Sequence, residues 1–305
     1  MSKHLISIIT PCYNRVDFIA DAIESVLAQN YSNLEHIIID GGSTDGTLDV
    51  LSRYPHLRVV SEPDNGMYDA INKGISKAHG DLIGVLNSDD VYTPDAFKII
   101  IGIINSYPEI EVVWGAADMF EMTSAGENVK ALLYPPGTER EIIPYLLWEI
   151  PIFNACFFHR RVFERYGLLL EQLKISGDRE FMLRAALSGC RYHTTNTVLY
   201  RYFSHNDSMT YSINPAIFEQ WNEEHCWIAN YYLKRRGTTK NAKAAYRRMH
   251  TNSSLSLMKI AFKKRDFSKA FELALRGWQV DPRWLIIFLQ RSLKIIVNGQ
   301  TQNNG

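Results

Sequence analysis

Short apolar runs alternate with helix-patterned segments along the first ninety residues of the chain. The run before Asn87 is apolar throughout, as in a strand buried on both faces of a sheet. The predicted strands are Leu5–Thr10, Leu34–Asp40, Leu57–Ser61 and Leu82–Leu86. Helical spacing of apolar residues between the strands completes a β-α-β-α-β-α-β order. This order predicts an α/β fold built on a parallel, doubly wound sheet.

Beyond residue 90 the alternation continues with less regular spacing, and the interval 118–150 is the hardest to interpret. Further strands are expected at Val112–Ala116, Ala155–His159 and Val198–Phe203. Further helices are expected at 94–106, 142–148 and 161–166, and from Ser176 to a stop at Gly189. These elements extend the same domain to about residue 212.

From about Ile213 the strand signals stop, and helical patterns run to Val297. Breaks in these patterns are expected near Gly237, Asn252, Arg265–Asp266 and Asp281–Pro282. The stretch Ile260–Pro282 resembles one helix pair of a tetratricopeptide-type repeat. We therefore divide the chain into a sheet domain, 1–212, and a helical C-terminal region, 213–305.

Composition narrows the class of protein. The 33 Lys and Arg balance the 33 Asp and Glu, so no global positive field attracts nucleic acid. The four cysteines are scattered without C-x-x-C spacing, which argues against a zinc site or a disulfide framework and favours the cytosol. No run of 18 apolar residues is present, and the N-terminus leads into a strand without a signal segment. The sequence thus predicts a cytoplasmic globular protein.

Two adjacent carboxylates, Asp89 and Asp90, follow the fourth predicted strand. Ligands of open α/β sheets collect outside the carboxyl ends of the strands. Because neighbouring carboxylates repel each other, a cation or hydrogen-bond donors are needed to compensate them, and Mg²⁺ is often held by one or two carboxylates together with substrate phosphates. The alternative is that Ser88-Asp89-Asp90 caps the helix that begins near Pro94.

Two other loops leave the same edge of the predicted sheet, at Thr10–Arg15 and Asp40–Gly46. Asp40 could accept a hydrogen bond from a base or ribose, although the segment could equally be a helix-capping turn. Tyr13 could face a ligand or pack partly in the core. The first loop contains no glycine, which argues against a dinucleotide-binding dehydrogenase, and a P-loop is absent. A sugar-1-phosphate nucleotidylyltransferase would need a Gly-rich, basic loop at this point, and Thr10–Arg15 does not supply one.

Three motifs in this order carry a resemblance to a known family: Ile-Ile-Thr-Pro-Cys-Tyr-Asn-Arg, Ile-Asp-Gly-Gly-Ser-Thr-Asp-Gly-Thr and Gly-Asp-Leu-Ile-Gly-Val-Leu-Asn-Ser-Asp-Asp. Together they resemble glycosyltransferase family 2, over roughly residues 4–210. The segment Glu62–Gly74 is similar to a bacterial subgroup that builds surface polysaccharides. The resemblance implies a GT-A fold, mostly parallel, and inverting sugar transfer from a nucleotide diphosphate, usually UDP, with Mn²⁺ or Mg²⁺.

The resemblance also assigns the donor side of the site. Carried over by position, Pro11, Tyr13 and Asp40 line the nucleobase pocket. Asp89 and Asp90 form the metal- and diphosphate-binding motif, and we expect Asp90 at the metal and Asp89 nearer the ribose or donor sugar. Many relatives carry Asp where this chain has Asn87, which leaves open which carboxylate contacts the metal.

A second pair of residues, Asp69 and Lys73, stands at positions i and i+4 of one predicted helix. The two side chains could contact the donor or could simply pair with each other.

The acceptor side is expected at Ser176-Gly177-Asp178-Arg179-Glu180. The family places its general base in an acid at a late helix start, and Asp178 matches that position, with Gly177 where relatives often carry Glu. The alternative is that Asp178 is only an N-cap. Arg184 is expected to pair with Glu180, and His205 could contact metal or phosphate or be a surface loop residue.

The resemblance implies a saccharide or polyprenyl-linked acceptor. The apolar, basic-edged stretch Trp284–Val297 could lie at the inner face of the cytoplasmic membrane or dock as a core helix. The competing function is a nucleotide-binding interaction protein that kept the fold and lost turnover, with a nucleotidylyltransferase as a more distant alternative.

Overall fold

One β-sheet organises the chain up to Tyr211. The computed structural model describes residues 4–122, 128–136, 138, 141–204 and 215–286, and in these ranges nine strands join the sheet. The strands are β1 (Ile6–Cys12), β2 (Leu34–Asp40), β3 (Leu57–Ser61), β4 (Leu82–Val85), β5 (Val91–Tyr92), β6 (Val112–Met122), β7 (Asn128–Tyr134), β8 (Cys156–His159) and β9 (Tyr192–Ser204). The seven strands predicted from apolar runs are all present, and β5 and β7 are additional.

The N-terminal half of the sheet is parallel, with the order β3-β2-β1-β4. All residues of β1 and of β4 are buried, as expected for strands covered on both faces. Cys12 pairs with Asp40 at the ends of β1 and β2, and β4 lies on the other side of β1. The loops after these three strands therefore leave the same edge of the sheet.

The other half of the sheet is mixed. The strand β8 pairs antiparallel with both β4 and β6, β6 runs parallel to β9, and β5 and β7 add antiparallel pairs. The antiparallel neighbours β6 and β7 are separated by only five residues, which a hairpin can span and a parallel crossover cannot. The α/β class is confirmed, and the strands of the first ninety residues are parallel as expected, with the β6–β9 pair as a further parallel pair.

Seven α-helices lie in the described part of the sheet unit: α1 (Ile19–Leu27), α2 (Thr47–Leu51), α3 (Met67–Lys77), α4 (Ala96–Ser106), α5 (Ile142–Trp148), α6 (Arg160–Tyr166) and α7 (Gly177–Leu187). The helix α3 lies very close to β1 at Gly74, where an added Cβ would be 2.3 Å from a methyl carbon of Ile9. Only glycine permits this approach, which brings the middle of α3 against β1.

The contacts within the chain define two compact units, Met1–Tyr211 and Ser212–Gly305. The described part of the second unit contains three helices, α8 (Pro215–Lys234), α9 (Lys240–Lys263) and α10 (Phe267–Val280). A core cluster that includes Leu255, Met258 and Trp284 joins α9 to α10. In the described ranges, no helix combines the length and the apolarity that crossing a membrane requires.

The break expected near Asn252 is wrong, because α9 runs through this position without interruption. The hydroxyl of Ser254 donates to the Thr251 carbonyl and that of Ser256 to the Asn252 carbonyl. These bonds satisfy the polar side chains within the helix itself, so the polar run does not end it.

Candidate active site

A cleft of about 390 Å³ opens where the loops after β1 and β4 meet the start of α3 and the start of α7. Four residues predicted for the site line it: Pro11, Tyr13, Asp89 and Asp178. Four others that were predicted, although all are described, are not among its lining residues: Asp40, Asp69, Lys73 and Asp90. The structure therefore brings residues predicted for the nucleotide and for the acceptor to one cleft. The other four predicted residues lie outside the cleft lining.

The ring of Tyr13 is 57% exposed, so the alternative that it packs in the core is wrong. Hydrogen bonds join its loop to the loop after β2, and two of them involve Asn14. The Asn14 amide nitrogen donates to Ser43 Oγ at 2.8 Å, and the Thr44 amide nitrogen donates to Asn14 Oδ1 at 2.9 Å. The ring of Tyr13 is thus an accessible surface on a fixed loop, suited to stacking against a planar base.

Asp40 is completely buried, and its carboxylate is occupied by groups of the protein. One oxygen accepts from the amide nitrogens of Gly42 and Ser43 and from the Ser61 hydroxyl, and the other accepts from the Ser43 hydroxyl at 2.5 Å. This carboxylate fixes the glycine-containing turn beside the cleft and does not itself face the cleft.

The adjacent acids Asp89 and Asp90 point to different surroundings. Asp90 has no exposed surface, and its carboxylate accepts from Tyr200 Oη at 2.5 Å, the Phe203 amide nitrogen at 2.8 Å and Asn87 Nδ2 at 3.0 Å. Burial, and secondarily the charge of Asp89, raises the pKa of Asp90 well above its usual range. Asp90 thus links the loop after β4 to strand β9 through buried hydrogen bonds.

Asp89 is the acid of this pair that faces the cleft. Its side chain is 15% exposed, and one carboxylate oxygen lies 3.8 Å from Arg15 Nε. The alternative that the pair caps a helix is wrong, because α4 begins at Ala96 and the side chain that accepts from its first turn is that of Gln29, at the Phe97 amide nitrogen. The expectation that Asp90 rather than Asp89 contacts a metal finds no support in this geometry.

A metal held by protein groups alone does not fit the described residues, which contain no cluster of three His, Cys, Asp or Glu side chains with suitable geometry. An accessible carboxylate at the end of β4, beside an open cleft, fits a different arrangement. Mg²⁺ commonly takes one or two carboxylates and completes its coordination with substrate phosphates and water. Asp89 offers one such carboxylate at the wall of the cleft.

Asp69 and Lys73 pair with each other, with Lys73 Nζ 3.4 Å from a carboxylate oxygen of Asp69. Asp69 also accepts from the Asn65 amide nitrogen at 2.8 Å, a bond that is the main cause of its lowered pKa. Lys73 donates to the Pro63 carbonyl at 3.0 Å. Both residues therefore hold the 62–66 loop, which contributes Asp64 and Gly66 to the wall of the cleft.

Asp178 is the second residue of α7, after the N-cap Ser176, so it is not the N-cap itself. Its Oδ1 accepts from the Arg179 amide nitrogen at 2.6 Å and from Tyr68 Oη at 3.4 Å. Burial raises the pKa of Asp178 to about 6. A carboxylate with this pKa at the wall of an open cleft can accept a proton near neutral pH.

Gly177 explains how the ring of Tyr68 reaches Asp178. An added Cβ at Gly177 would lie 2.6, 2.8 and 2.9 Å from three carbons of that ring, so a larger residue cannot occupy this place without displacing Tyr68. Tyr68 was not predicted as a site residue. Its position inside the Glu62–Gly74 motif was the only sequence signal that could have identified it.

Other polar residues of the cleft were also missed, among them Arg15, Asn154 and Lys174. Asn154 donates to Asn87 Oδ1 at 3.0 Å, and Lys174 Nζ donates to the Asn65 carbonyl at 3.2 Å. Arg15 and Lys174 bring positive charge to a site where a diphosphate would need it. Arg15 was part of a quoted motif, whereas Asn154 and Lys174 carry no local signal.

Two remaining expectations concern residues around this site. Arg184 and Glu180 form the expected i, i+4 ion pair at 2.8 Å, with Glu180 fully buried, and this pairing is confirmed. His205 lies outside the described residues.

Comparison with solved structures supports the fold. S. aureus TarS 1–349 in complex with UDP-GlcNAc superposes with a TM-score of 0.62 at 14% identity, over 88% of this chain and 90% of that chain. The mannosyltransferase PcManGT from Pyrobaculum calidifontis, in complex with GDP-Man and Mn²⁺, superposes with a TM-score of 0.60 at 19% identity, over 96% of this chain and 88% of that chain. The α/β architecture with C-terminal helices is thus that of GT-A glycosyltransferases.

Comparison of sequences gives the family. TuaG of Bacillus subtilis, named as a glycosyltransferase of teichuronic acid biosynthesis, is 41% identical over 101 residues, which are 32% of this chain and 40% of that protein. The model of the family described as "Glycosyl transferase family 2" matches residues 7–167, just over half of the chain. The chain belongs to glycosyltransferase family 2.

Proposed function

We propose that this glycosyltransferase transfers a sugar, with inversion, from a UDP-sugar to a saccharide or polyprenyl-linked acceptor in polysaccharide synthesis. The observation that carries the proposal is that Asp89 and Asp178 line one cleft, although they come from distant parts of the chain. One acid serves the leaving diphosphate and the other serves the incoming hydroxyl. The alternative, a binding protein without turnover, would not need a second acid with a raised pKa in the cleft.

The donor would bind with its base against the exposed ring of Tyr13, beside Pro11. Asp40 supports this pocket from behind by fixing the turn at Gly42 and Ser43. The choice of a uridine nucleotide is supported by the structural likeness to TarS, which binds UDP-GlcNAc. The GDP-Man complex of the Pyrobaculum calidifontis mannosyltransferase supports a nucleotide-sugar donor in general.

The donor diphosphate would lie between Arg15, Lys174 and Asp89. We assign the metal contact to Asp89, because Asp90 is buried and its oxygens already accept three hydrogen bonds. When bound, Mn²⁺ or Mg²⁺ supplies a positive charge that stabilises the leaving diphosphate. The Mn²⁺ in the Pyrobaculum calidifontis complex supports this choice of ion.

Asp178 is proposed as the general base. Its carboxylate takes the proton from the acceptor hydroxyl while that oxygen bonds to the anomeric carbon and the bond to the diphosphate breaks. Attack comes from the face opposite the leaving group, so the anomeric configuration inverts. Tyr68 and the Arg179 amide nitrogen hold the carboxylate through Oδ1, which leaves Oδ2 for the proton.

Contact of the C-terminal segment with a membrane stays a prediction. Most of Trp284–Val297 lies outside the described residues. Trp284 itself is 3% exposed, and its Nε1 donates to Ser254 Oγ at 2.9 Å. This tryptophan belongs to the core of the second unit, so a membrane contact would have to use other side chains.

A binding and turnover experiment tests the proposed function. Thermal stabilisation by UDP is measured with and without Mn²⁺. The additional stabilisation that Mn²⁺ gives should be present in the parent and in Asp178→Asn and absent in Asp89→Ala. Release of UDP from a UDP-sugar with acceptor should be strongly reduced in both variants. Asp49→Asn, an exposed acid on α2, is the matched control and should behave as the parent. Stabilisation of the Asp89→Ala variant equal to that of the parent would refute the metal assignment, and full turnover by Asp178→Asn would refute the base assignment.

A further inference from the structure

One side of α10 exposes large apolar residues to solvent. Phe267 is 62% exposed, Phe271 72%, Leu275 45% and Trp278 54%. Their spacing of four, four and three residues places them in a single stripe along the helix. Phe262, at the end of α9, adds a ring 6.0 Å from that of Phe267 and is itself 48% exposed. We call these five residues the α10 face.

The α10 face is separate from the side of the helix that packs inside the unit. Ala270 and Gly277 are buried, and an added Cβ at Gly277 would lie 2.3 Å from Trp284 Nε1. The helix is therefore already anchored through its small residues. The aromatic side chains of the α10 face contribute little to that packing, so the fold of the unit does not account for them.

The surroundings of the α10 face are basic. Residues 259–286 contain seven Lys and Arg and three Asp and Glu, whereas the whole chain is balanced. Several of these cations have acidic partners: Lys264 and Lys269 pair with Glu219, Lys269 also with Glu223, Arg276 with Glu272, and Arg283 with Asp281.

Within the described residues, three cations of this segment form no ion pair: Lys259, Lys263 and Arg265. Two of them, Lys263 and Arg265, stand in the sequence between Phe262 and Phe267. Positive charge is thus available directly beside exposed aromatic rings.

This combination fits one kind of partner better than the others. Protein interfaces are depleted of Lys at their centres, whereas helices that lie on membranes combine Phe, Trp and Leu on one side with Lys and Arg at its edge. The sequence after Ile286 begins Ile-Phe-Leu and carries Arg291 and Lys294, so the same composition continues along the chain.

We propose that the α10 face is a docking surface for a membrane that carries anionic lipid headgroups. The aromatic and leucine side chains enter the interfacial layer, and Lys263 and Arg265 meet the headgroup phosphates. The proposal rests on the proposed function only for its purpose, which is to bring the enzyme to a polyprenyl-linked acceptor. The exposed apolar side chains and the neighbouring cations support the docking surface independently of that function.

Co-sedimentation of the full chain with vesicles tests the proposal. Vesicles of phosphatidylcholine alone are compared with vesicles that also contain phosphatidylglycerol. The parent should bind the anionic vesicles better, and Phe271→Glu/Trp278→Glu should weaken this binding by roughly tenfold or more. Lys263→Glu/Arg265→Glu should weaken binding to the anionic vesicles only. The matched control is Trp227→Glu/Tyr231→Glu, an exposed pair of stacked rings on α8, which should bind as the parent does.

Three results would overturn the proposal: no vesicle binding by the parent, equal binding by parent and Phe271→Glu/Trp278→Glu, or equal loss in the α8 control. A change of sedimentation coefficient in the absence of vesicles, specific to the α10 variant, would assign the face to a second copy of the chain and also overturn it. Stabilisation by UDP and Mn²⁺ is measured on the same samples. Vesicle binding without nucleotide binding would refute the proposed function and leave the surface intact, and the reverse result would refute the surface alone.

Discussion

Tyr68 Oη lies 3.4 Å from the carboxylate of Asp178, and this hydrogen bond joins residues 110 positions apart. It connects the first turn of α3 with the first turn of α7 across the cleft wall. The bond favours the ionised form of Asp178, whereas burial, the larger influence, disfavours it. Tyr68 is therefore a positioning residue that also adjusts the acidity of the proposed base.

Tyr68→Phe should raise the pKa of Asp178 further above 6, because the variant removes a donor to the carboxylate. A rise of roughly half a unit lowers the ionised fraction, and with it kcat/KM, about threefold below pH 6. At alkaline pH the activity should equal that of the parent. The pH profile of kcat/KM is the measurement. A uniform loss at every pH would instead mean that the ring only supports the fold.

Gly177→Ala should disturb the same contact from the other side. The added methyl group would overlap the ring of Tyr68, and overpacking of this kind costs about 1–3 kcal/mol in the free energy of unfolding. Turnover should fall as well, because either the ring or the start of α7 must move. Urea denaturation and steady-state kinetics measure the two effects.

The matched control for this substitution is Gly102→Ala. Gly102 lies in the interior of α4, and an added Cβ there meets no atom within 4 Å. Alanine should stabilise the helix by about 0.5–1 kcal/mol. Equal effects of the two substitutions would show that the contact between Gly177 and Tyr68 is not tight.

The two adjacent acids should respond differently to alanine. Asp89→Ala should leave the free energy of unfolding nearly unchanged and remove the metal-dependent stabilisation by UDP. Asp90→Ala leaves Tyr200, Asn87 and the Phe203 amide nitrogen without their acceptor, which should destabilise the fold by about 1–3 kcal/mol. Thermal denaturation with and without UDP and Mn²⁺ separates the two roles. If Asp90→Ala were as stable as the parent but did not bind metal, the roles would be reversed.

The difference between these acids shows where sequence reasoning reaches its limit. The apolar run before Asn87 correctly predicted a strand that ends at the cleft. It could not show which of two neighbouring carboxylates turns inward, because two of the donors that decide this come from β9, more than a hundred residues later. Pairing across such a distance leaves no local pattern.

Two other differences from the sequence predictions have their own causes. The two-residue strand β5 is too short to show an alternation, and it forms because β9 lies beside it. The polar run around Asn252 predicted a break, but serine hydroxyls that bond within α9 remove the need for one. Local motifs thus located the loops of the site, while long-range packing decided which side chains face the cleft.

Asp178→Asn should reduce turnover by roughly 10²–10⁴-fold, because Asn cannot take the proton of the acceptor hydroxyl. Affinity for the donor should hardly change. The pKa of the carboxyl is raised from 3.8 to about 6 in the folded state, so the folded protein binds this proton more tightly than the unfolded chain. The associated stability is present below about pH 4 and is lost as the pH rises to about 6.

Asn is neutral at every pH, so the Asp178→Asn variant does not lose stability as the pH rises from about 4 to about 6. At pH 7 the variant should therefore be more stable than the parent, by about 1–3 kcal/mol, with the difference disappearing near pH 4. Urea denaturation at both pH values and initial rates of transfer measure the two effects together. Asn keeps the size of Asp and a side-chain oxygen that can accept from the Arg179 amide nitrogen, so a purely structural role would leave the variant active. An enzyme that gains stability at neutral pH while it loses turnover is the result expected only if Asp178 is kept ionised in the cleft for the reaction.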